Sequence, residues 1–158
     1  MPKTKPLSKA QHERLAAFRY ALRQFLHFSE EAAHGAGLTP QRHQALLAIK
    51  GFPGRDCVTV GELAERLRLR HHSVVGLVDR LVGEGLVERA PSEGDRRQVF
   101  VQLTALGEKI LERLSAAHTE QLKIVGPELI HRLRQIVEGA EGSKGNEARH
   151  PAVSGEPR

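Results

Sequence analysis

Apolar residues recur at helical spacing in the first third of the chain. From Leu15 to Ala33 they follow one another every three or four positions, the period of one face of an amphipathic helix. A second apolar stripe begins after Thr39 and Pro40, a pair that suits the N-cap and first position of a helix, and it stops at Gly51. Two helices are therefore predicted in this part of the chain.

A short helix, a tight turn and a longer helix are predicted next. Thr59 and Glu62 stand at the spacing of a capping box, in which each side chain accepts a hydrogen bond from the other residue's backbone N–H. A turn near residues 68–70 then leads into a helix that runs to about Glu84 and is closed by Gly85.

The pattern then changes to short strands. Leu86–Ala90 and Gln98–Leu103 flank a segment rich in turn-forming residues, which predicts a β-hairpin with a polar tip. Two helices joined by a tight turn and followed by such a hairpin are typical of a winged helix-turn-helix. The expected fold class is mainly α with a small β-hairpin wing.

A second helical region follows the hairpin. Thr104 is a suitable N-cap, and the apolar positions from Leu106 to Val125 lie on one helical stripe. Gly126 and Pro127 predict a break, because proline lacks a backbone N–H and its ring clashes with the preceding turn. A last short helix is expected beyond that break.

Charge, apolar content and motifs limit the classes of function. The net charge of +5 is accounted for by residues 1–28, whereas residues 59–104 hold seven cations and seven acids, so overall basicity does not identify a DNA-binding region. No apolar run reaches the roughly 18 residues that cross a bilayer, and no secretory signal is visible, so a cytoplasmic protein without membrane contact is expected. The motifs of zinc proteases, phosphate loops, nucleophile elbows and dinucleotide-binding folds are lacking, so no enzyme is expected.

The fourth helix has two contrasting faces. On a helical wheel, its apolar side is predicted to be buried and consists of Val74, Leu77, Val78 and Leu81. The opposite side is narrow and short-chained, with Gly76 at its centre. A helix enters the major groove, about 12 Å wide, only if the side chains facing it are compact or donate to base edges. The alternative is a solvated face with neutral glycines, although glycine inside a helix costs roughly 1 kcal/mol.

The DNA interpretation assigns contacts to the fourth helix and to the hairpin. The first turn of the helix can reach bases or phosphates, and Val75 can touch a thymine methyl group. Arginine near the hairpin tip is expected to contact the backbone or the minor groove. The residues predicted to contact DNA are Arg70, His71, His72, Ser73, Val75, Gly76, Arg80, Arg96 and Arg97.

Asp79 lies on the same face and would repel phosphates unless a cation pairs with it. Arg96 and Arg97 begin the second strand, and a hairpin folded beside the helix would bring one of them to Asp79. A salt bridge from Asp79 to one of these two arginines, which would position the wing, is predicted, and the residues alone leave open which of the two makes it. The alternative is that residues 95–97 are only a polar turn.

These segments resemble the MarR (multiple antibiotic resistance regulator) family of bacterial transcription factors. The resemblance rests on Leu63–Leu67 (LAERL), Leu77–Leu81 (LVDRL) followed by Gly85–Arg89 (GLVER), and Asp95–Arg97 (DRR) leading to Val101–Thr104 (VQLT). It implies an interlocked homodimer on a palindromic operator, often released by a small phenolic compound or an oxidant. It also implies a wing contact by Arg97, which can pair with Asp79. His71, His72, Val75 and Gly76 depart from the family pattern, so no operator sequence is predicted.

The apolar stripes of the helical regions exceed what a small winged unit can cover. Pairing two chains buries them and places two recognition helices about 34 Å apart, the spacing of half-sites one DNA turn apart. We therefore expect residues 8–35 and 104–138 to form a dimerisation region and residues 39–103 a winged helix-turn-helix DNA-binding domain. Residues 139–158, almost without apolar side chains, are expected to be a disordered tail. The alternative is a monomer whose helices fold onto its own core.

Small-molecule sites have weaker support. Phe25, His27 and Phe28, together with His34, could line a pocket for an aromatic or phenolic effector, or could be ordinary core and boundary residues.

Metal and redox sites have less support still. His34, His43 and His118 lie one to a helix, so no metal or cofactor is expected, and the sequence leaves open whether Cys57, the only cysteine, has a redox role.

The sequence thus predicts a sequence-specific transcription regulator, more often a repressor than an activator, that binds double-stranded DNA as a homodimer. It leaves open whether a small aromatic or phenolic effector releases the DNA. The alternative function is an architectural winged-helix protein that binds DNA without an effector. A footprint on a short palindrome would separate the two, because both would contact phosphates and depend on salt.

Overall fold

The computed structural model describes residues 6–92, 94 and 97–141 as five helices and three strands. The helices are α1 (Lys9–Gly35), α2 (Pro40–Lys50), α3 (Val60–Leu67), α4 (His71–Gly83) and α5 (Ala105–Glu141). The strands are β1 (Cys57–Val58), β2 (Val87–Pro91) and β3 (Val99–Leu103). The chain divides into two compact units, one made of the residues up to Phe25 and from Leu122 onward, the other of Leu26–Gln121. Arg96 and the predicted tail from residue 142 onward lie outside the described residues.

The predicted helix starts are confirmed. Thr39 accepts a hydrogen bond from the backbone N–H of Arg42 at 3.3 Å, and Pro40 is the first residue of α2. Thr59 and Glu62 form the expected capping box, with Glu62 N to Thr59 Oγ1 at 3.2 Å and Thr59 N to Glu62 Oε2 at 2.8 Å. These bonds satisfy backbone donors that the helix itself leaves unpaired.

The wing is a three-stranded antiparallel sheet in the order β1-β3-β2. Its hairpin matches the prediction to within one residue, and the register runs from Val87 opposite Leu103 to Pro91 opposite Val99. The third strand was not predicted. Because β1 has two residues, it is too short for an alternating pattern to be visible in the sequence.

The core of the winged unit is built on the inner side of α4. Val74, Leu77, Val78 and Leu81 are each 1% exposed or less, which confirms the predicted buried face. They belong to one cluster with buried residues of α2, α3 and the sheet, namely Leu46, Ile49, Val58, Leu63 and Val101. The opposite side of α4 is therefore left facing outward.

A compact joint links the end of α4 to the start of α5. Gly85 closes α4 with φ of +69°, as predicted. Thr104 Oγ1 lies 2.5 Å from the Gly85 carbonyl oxygen and accepts from Gly107 N at 3.1 Å, so Thr104 caps α5 as expected. A Cβ atom on Gly107 would lie 2.0 Å from the carbonyl oxygen of Leu86, so only glycine allows this approach.

The predicted break at Gly126 and Pro127 is wrong, because α5 continues without interruption to Glu141. A proline inside a helix removes one backbone hydrogen bond and favours a kink, but it does not stop the turns on either side from propagating. In the turn that follows, Arg132 Nε donates to Glu128 Oε1 at 2.7 Å. Within the described residues, no helix combines the length and apolar content needed to cross a membrane.

Candidate nucleic-acid interface

The outward side of α4 is open and compact. His71, His72 and Ser73 are exposed in its first turn, and Val75 and Gly76 are half-buried behind them. The helical wheel and the position of the first turn predicted this set, and the structure leaves every member at least partly exposed. The contacts of these residues within the chain do not test whether they bind DNA, so their role in DNA binding stays a prediction.

Packing within the chain does not explain Gly76. A Cβ atom built there would meet Arg80 Nη1 at 3.8 Å, which is ordinary van der Waals contact. An alanine would therefore fit, and it would avoid the roughly 1 kcal/mol that glycine costs inside a helix. The glycine keeps the centre of the outward face low, which suits a surface that another molecule approaches closely.

The N-terminal end of α4 has no side-chain cap. Arg70 occupies the N-cap position with extended backbone angles, and its side chain makes no capping hydrogen bond. The first N–H groups of the helix, on His71 and His72, thus point out of a helix end that carries partial positive charge. Such an end suits a phosphate group.

Asp79 is paired with an arginine of the wing, Arg89, which lies in β2 and not near the start of β3 as predicted. Arg89 Nη2 lies 2.5 Å from Asp79 Oδ1, and both side chains are more than one third exposed. Sequence reasoning expected a cation of the hairpin beside Asp79 but did not consider Arg89, and the predicted pair with Arg97 is not tested by this contact. Arg89 stands opposite buried Val101 in the sheet, so its side chain starts from the sheet face that meets the helices. Val87 and Arg89 lie two positions apart in a strand, so the sequence already places both side chains on the same face of the sheet.

The structure leaves the other wing predictions open. Arg97 is exposed, and the predicted pair between Asp79 and Arg97 stays a prediction. Arg96 lies outside the described residues.

Stacked arginine and phenylalanine side chains lie beside the turn between α3 and α4. The guanidinium groups of Arg66 and Arg55 lie 4.9 and 4.6 Å from the centre of the Phe52 ring, and Arg55 also lies 5.1 Å from the Phe100 ring. Arg55 bonds the Cys57 carbonyl at 3.0 Å and pairs with Glu62. These contacts position the Arg66 side chain at the surface.

The carboxyl group of Glu62 is held ionised by its surroundings. Its pKa is lowered mainly by the backbone N–H of Thr59 and further by the guanidinium of Arg55. Arg55 is therefore neutralised by Glu62 and is not available to bind an external anion.

Two histidines, His43 and His118, pack against each other in the interior of the winged unit. The rings of His43 and His118 lie 4.8 Å apart, and His118 contacts Ser29 Oγ at 2.7 Å and the Leu114 carbonyl at 2.5 Å. Burial and, to a lesser extent, His118 lower the pKa of His43, which is 5% exposed. In the part of the chain that the structure describes, no group of three metal-ligating side chains forms.

The proposed effector residues are not all brought together. Phe28 packs edge-on against His118 with ring centres 5.7 Å apart. His27 instead points to solvent and pairs with Glu31 at 3.4 Å. His34 is exposed. Sequence reasoning weighed His43 and His118 only as metal ligands, because their contact across two helices is invisible in the sequence.

Comparison with known proteins finds relatives in sequence. The profile of the MarR family matches residues 36–98. The transcriptional repressor YetL of Bacillus subtilis is 28% identical over 63% of this chain and 59% of its own length, so the chain spans less than two thirds of that relative.

Solved structures show the same fold. AbsC, a MarR family transcriptional regulator from Streptomyces coelicolor, superposes with a TM-score of 0.67 at 21% identity over 90% of this chain and all of that one. A mutant of MepR from S. aureus, bound to an oligodeoxyribonucleotide, gives a TM-score of 0.60 at 18% identity over 80% of this chain and 94% of that one.

Proposed function

We propose that the chain is a transcription regulator of the MarR family, which its profile match and its fold support, and that it binds a palindromic operator in duplex DNA as a homodimer and represses transcription. The observation that carries the proposal is the division of α4 into a fully buried apolar side and an exposed side of short side chains around Gly76. Such a helix can lie in the major groove without disturbing the core behind it. The DNA-bound MepR structure provides a precedent for this fold on DNA.

The apolar surface of the two long helices supports a homodimer. Large apolar side chains of α1 and α5 are between 37% and 73% exposed in the single chain, namely Leu15, Leu22, Leu26, Leu106, Leu122, Ile124, Ile130, Leu133 and Val137. Leaving so many in water is unfavourable, and a second copy of the chain would cover them. A twofold pair also supplies the second recognition helix that a palindrome requires.

A hollow between α1 and α5 supports a small effector. It has a volume of about 320 Å³ and lies within the Leu26–Gln121 unit. Small and apolar side chains line it together with one cation, and its lining is Ala32, Gly35, Ala36, Ile110, Arg113, Leu114 and Ala117. An aromatic carboxylate matches both the apolar walls and the Arg113 guanidinium. A rise in Tm with benzoate or salicylate, lost in Arg113→Ala, tests this part of the proposal.

A footprint on the DNA flanking the chain's own gene tests the DNA-binding function. The regulator should protect two inverted half-sites whose centres lie about 34 Å apart, one helical turn. The alternative function is an architectural winged-helix protein that binds DNA without an effector, and such a protein would protect DNA that contains no palindrome. Protection that does not depend on sequence would therefore favour that alternative and contradict an operator.

A further inference from the structure

Arg68 occupies a backbone conformation that costs free energy. It ends α3 with φ of +56° and ψ of +39°, and among the described residues other than glycine it alone has a positive φ. Its N–H donates to Glu65 O at 3.2 Å, and the N–H of Leu69 donates to Ala64 O at 3.0 Å. This is the helix-ending turn in which glycine is the most common residue at the left-handed position. An arginine there is strained relative to glycine.

The contacts of Arg68 within the described chain do not compensate for that strain. The side chain is exposed, and the structure gives it neither a hydrogen bond nor an ion pair among the described residues. Arg66 and Arg70 are also exposed and take part in no ion pair within the same described ranges. Three unneutralised arginines thus follow one another at alternate positions through the turn. A strained residue kept at a surface turn suggests a role outside the chain.

The location of the turn indicates which molecule Arg68 meets. Three peptide units separate Arg68 from His71, so the two Cα atoms lie within about 11 Å of each other. The first turn of a recognition helix enters the major groove, which is about 12 Å wide and bordered by phosphates on both sides. A long side chain at this distance from the helix start therefore reaches the phosphates at the rim of the groove.

The surface beside Arg68 is shaped and charged to suit a phosphate backbone. Arg66 and Arg68 border the same hollow, of about 810 Å³, next to Phe52. Glu62 and Glu65 border it too, but Glu62 is already neutralised by Arg55. Stacking on Phe52 holds the guanidinium of Arg66 toward this side.

From these observations we infer that Arg68, supported by Arg66, binds a DNA phosphate at the edge of the major groove. This inference rests on the proposed function and adds a contact that the recognition helix and the wing do not provide. A phosphate contact carries no sequence information, so Arg68 raises the affinity for every duplex and fixes the register of the helix in the groove.

Salt titration of DNA binding tests the inference. Binding is measured by fluorescence anisotropy at 15 °C between 50 and 300 mM KCl, on the footprinted operator and on a scrambled duplex. Arg68→Gly should lower the slope of log affinity against log salt by about 0.9 for each subunit, or about 2 for the dimer. It should also weaken binding to both duplexes alike, by about tenfold or more at low salt. Arg68→Lys keeps the charge and should keep the parent slope.

Thermal unfolding gives the second readout. Because glycine relieves the strain at this position, Arg68→Gly should have a Tm at least as high as that of the parent protein. A lower Tm would show that Arg68 stabilises the fold and would overturn the strain argument. An unchanged salt slope in Arg68→Gly would overturn the phosphate contact. If the parent protein binds neither duplex, the proposed function itself fails; if Arg97→Ala weakens binding while Arg68→Gly does not, only this inference fails.

Discussion

Arg89 of β2 holds the carboxylate of Asp79 on the outer side of α4, with Nη2 and Oδ1 2.5 Å apart. The contact ties the wing to α4 and neutralises a carboxylate on the side of α4 that is proposed to face DNA. Both side chains are well exposed, so the pair contributes less than about 1 kcal/mol to folding. The main effect of the pair is to neutralise the carboxylate of Asp79 on the surface of α4.

Removing Arg89 should weaken DNA binding more than removing the whole pair. In Arg89→Ala the Asp79 carboxylate remains unneutralised against the phosphates, whereas the Asp79→Ala/Arg89→Ala double variant has no such charge. The double variant should therefore bind more tightly than Arg89→Ala, by about 1 kcal/mol. Gel shifts of the four proteins measure the coupling. Strictly additive effects would show that the two residues act independently on DNA.

Arg97→Ala should weaken operator binding by more than about 1 kcal/mol and leave the dimer intact, because a wing contact is lost without touching the core. Gel shift measures the affinity, and size-exclusion chromatography checks the oligomeric state. If Arg97 also pairs with Asp79, the Asp79→Ala and Arg97→Ala effects will be non-additive. An unchanged affinity would count against the role of the wing.

Gly76→Ala should stabilise the protein and weaken DNA binding at the same time. No atom of the described residues obstructs the added methyl group, and alanine is favoured over glycine inside a helix by up to about 1 kcal/mol. In the complex, the same methyl group would stand between α4 and the groove. Urea unfolding and gel shift provide the two readouts. Equal DNA affinity with higher stability would mean that this face does not enter the groove closely.

Stability should fall in mild acid because of His43. Its pKa in the folded protein is lowered by burial and by His118, so it lies below the value of about 6.5 in the unfolded chain. The unfolded chain therefore takes up more protons as the pH falls. The free energy of unfolding should be greatest above about pH 6.5 and decline below it. Thermal unfolding between pH 8 and pH 5 measures this, and His43→Phe should show a flatter profile; identical profiles would exclude His43 as the cause.

Gly107→Ala should destabilise the protein by about 1 to 3 kcal/mol, as overpacking does in well-packed regions. The new methyl group would collide with the backbone of Leu86, which cannot move aside as a flexible side chain could. Gly83→Ala is the matched control, because nothing lies within 4 Å of its added Cβ. Urea unfolding of both variants measures the difference, and equal stabilities would contradict the close contact.

Periodicity was sufficient to predict α4 and both of its faces. The spacing of Val74, Leu77, Val78 and Leu81 leaves one arrangement in which all four are buried, and local signals such as the Thr59 and Glu62 pair depend on neighbours in the chain. The fold class and family resemblance followed from the same local patterns and are confirmed.

The misses have physical causes that lie beyond local sequence. Arg89 could be assigned to Asp79 only once the hairpin register was known. Pro127 predicts a helix break because the free-energy cost of a proline inside a helix can be judged from the sequence. The cooperativity of a 37-residue helix, which offsets that cost, cannot be judged in this way. The turn after α3 was predicted, but which residue adopts a positive φ depends on how the two helices pack, so the strain at Arg68 could not be anticipated.

The hydroxyl of Thr104 contacts Gly85 where one helix stops and accepts from Gly107 where the next begins. One hydroxyl oxygen thus forms hydrogen bonds with the end of α4 and with the start of α5. A tilt of the first turn of α5 would therefore move the hydroxyl of Thr104 and, through it, the C-terminal end of α4. If the hollow beside Arg113 binds the proposed effector, the Thr104 contact connects that helix directly to the helix proposed to enter the DNA groove.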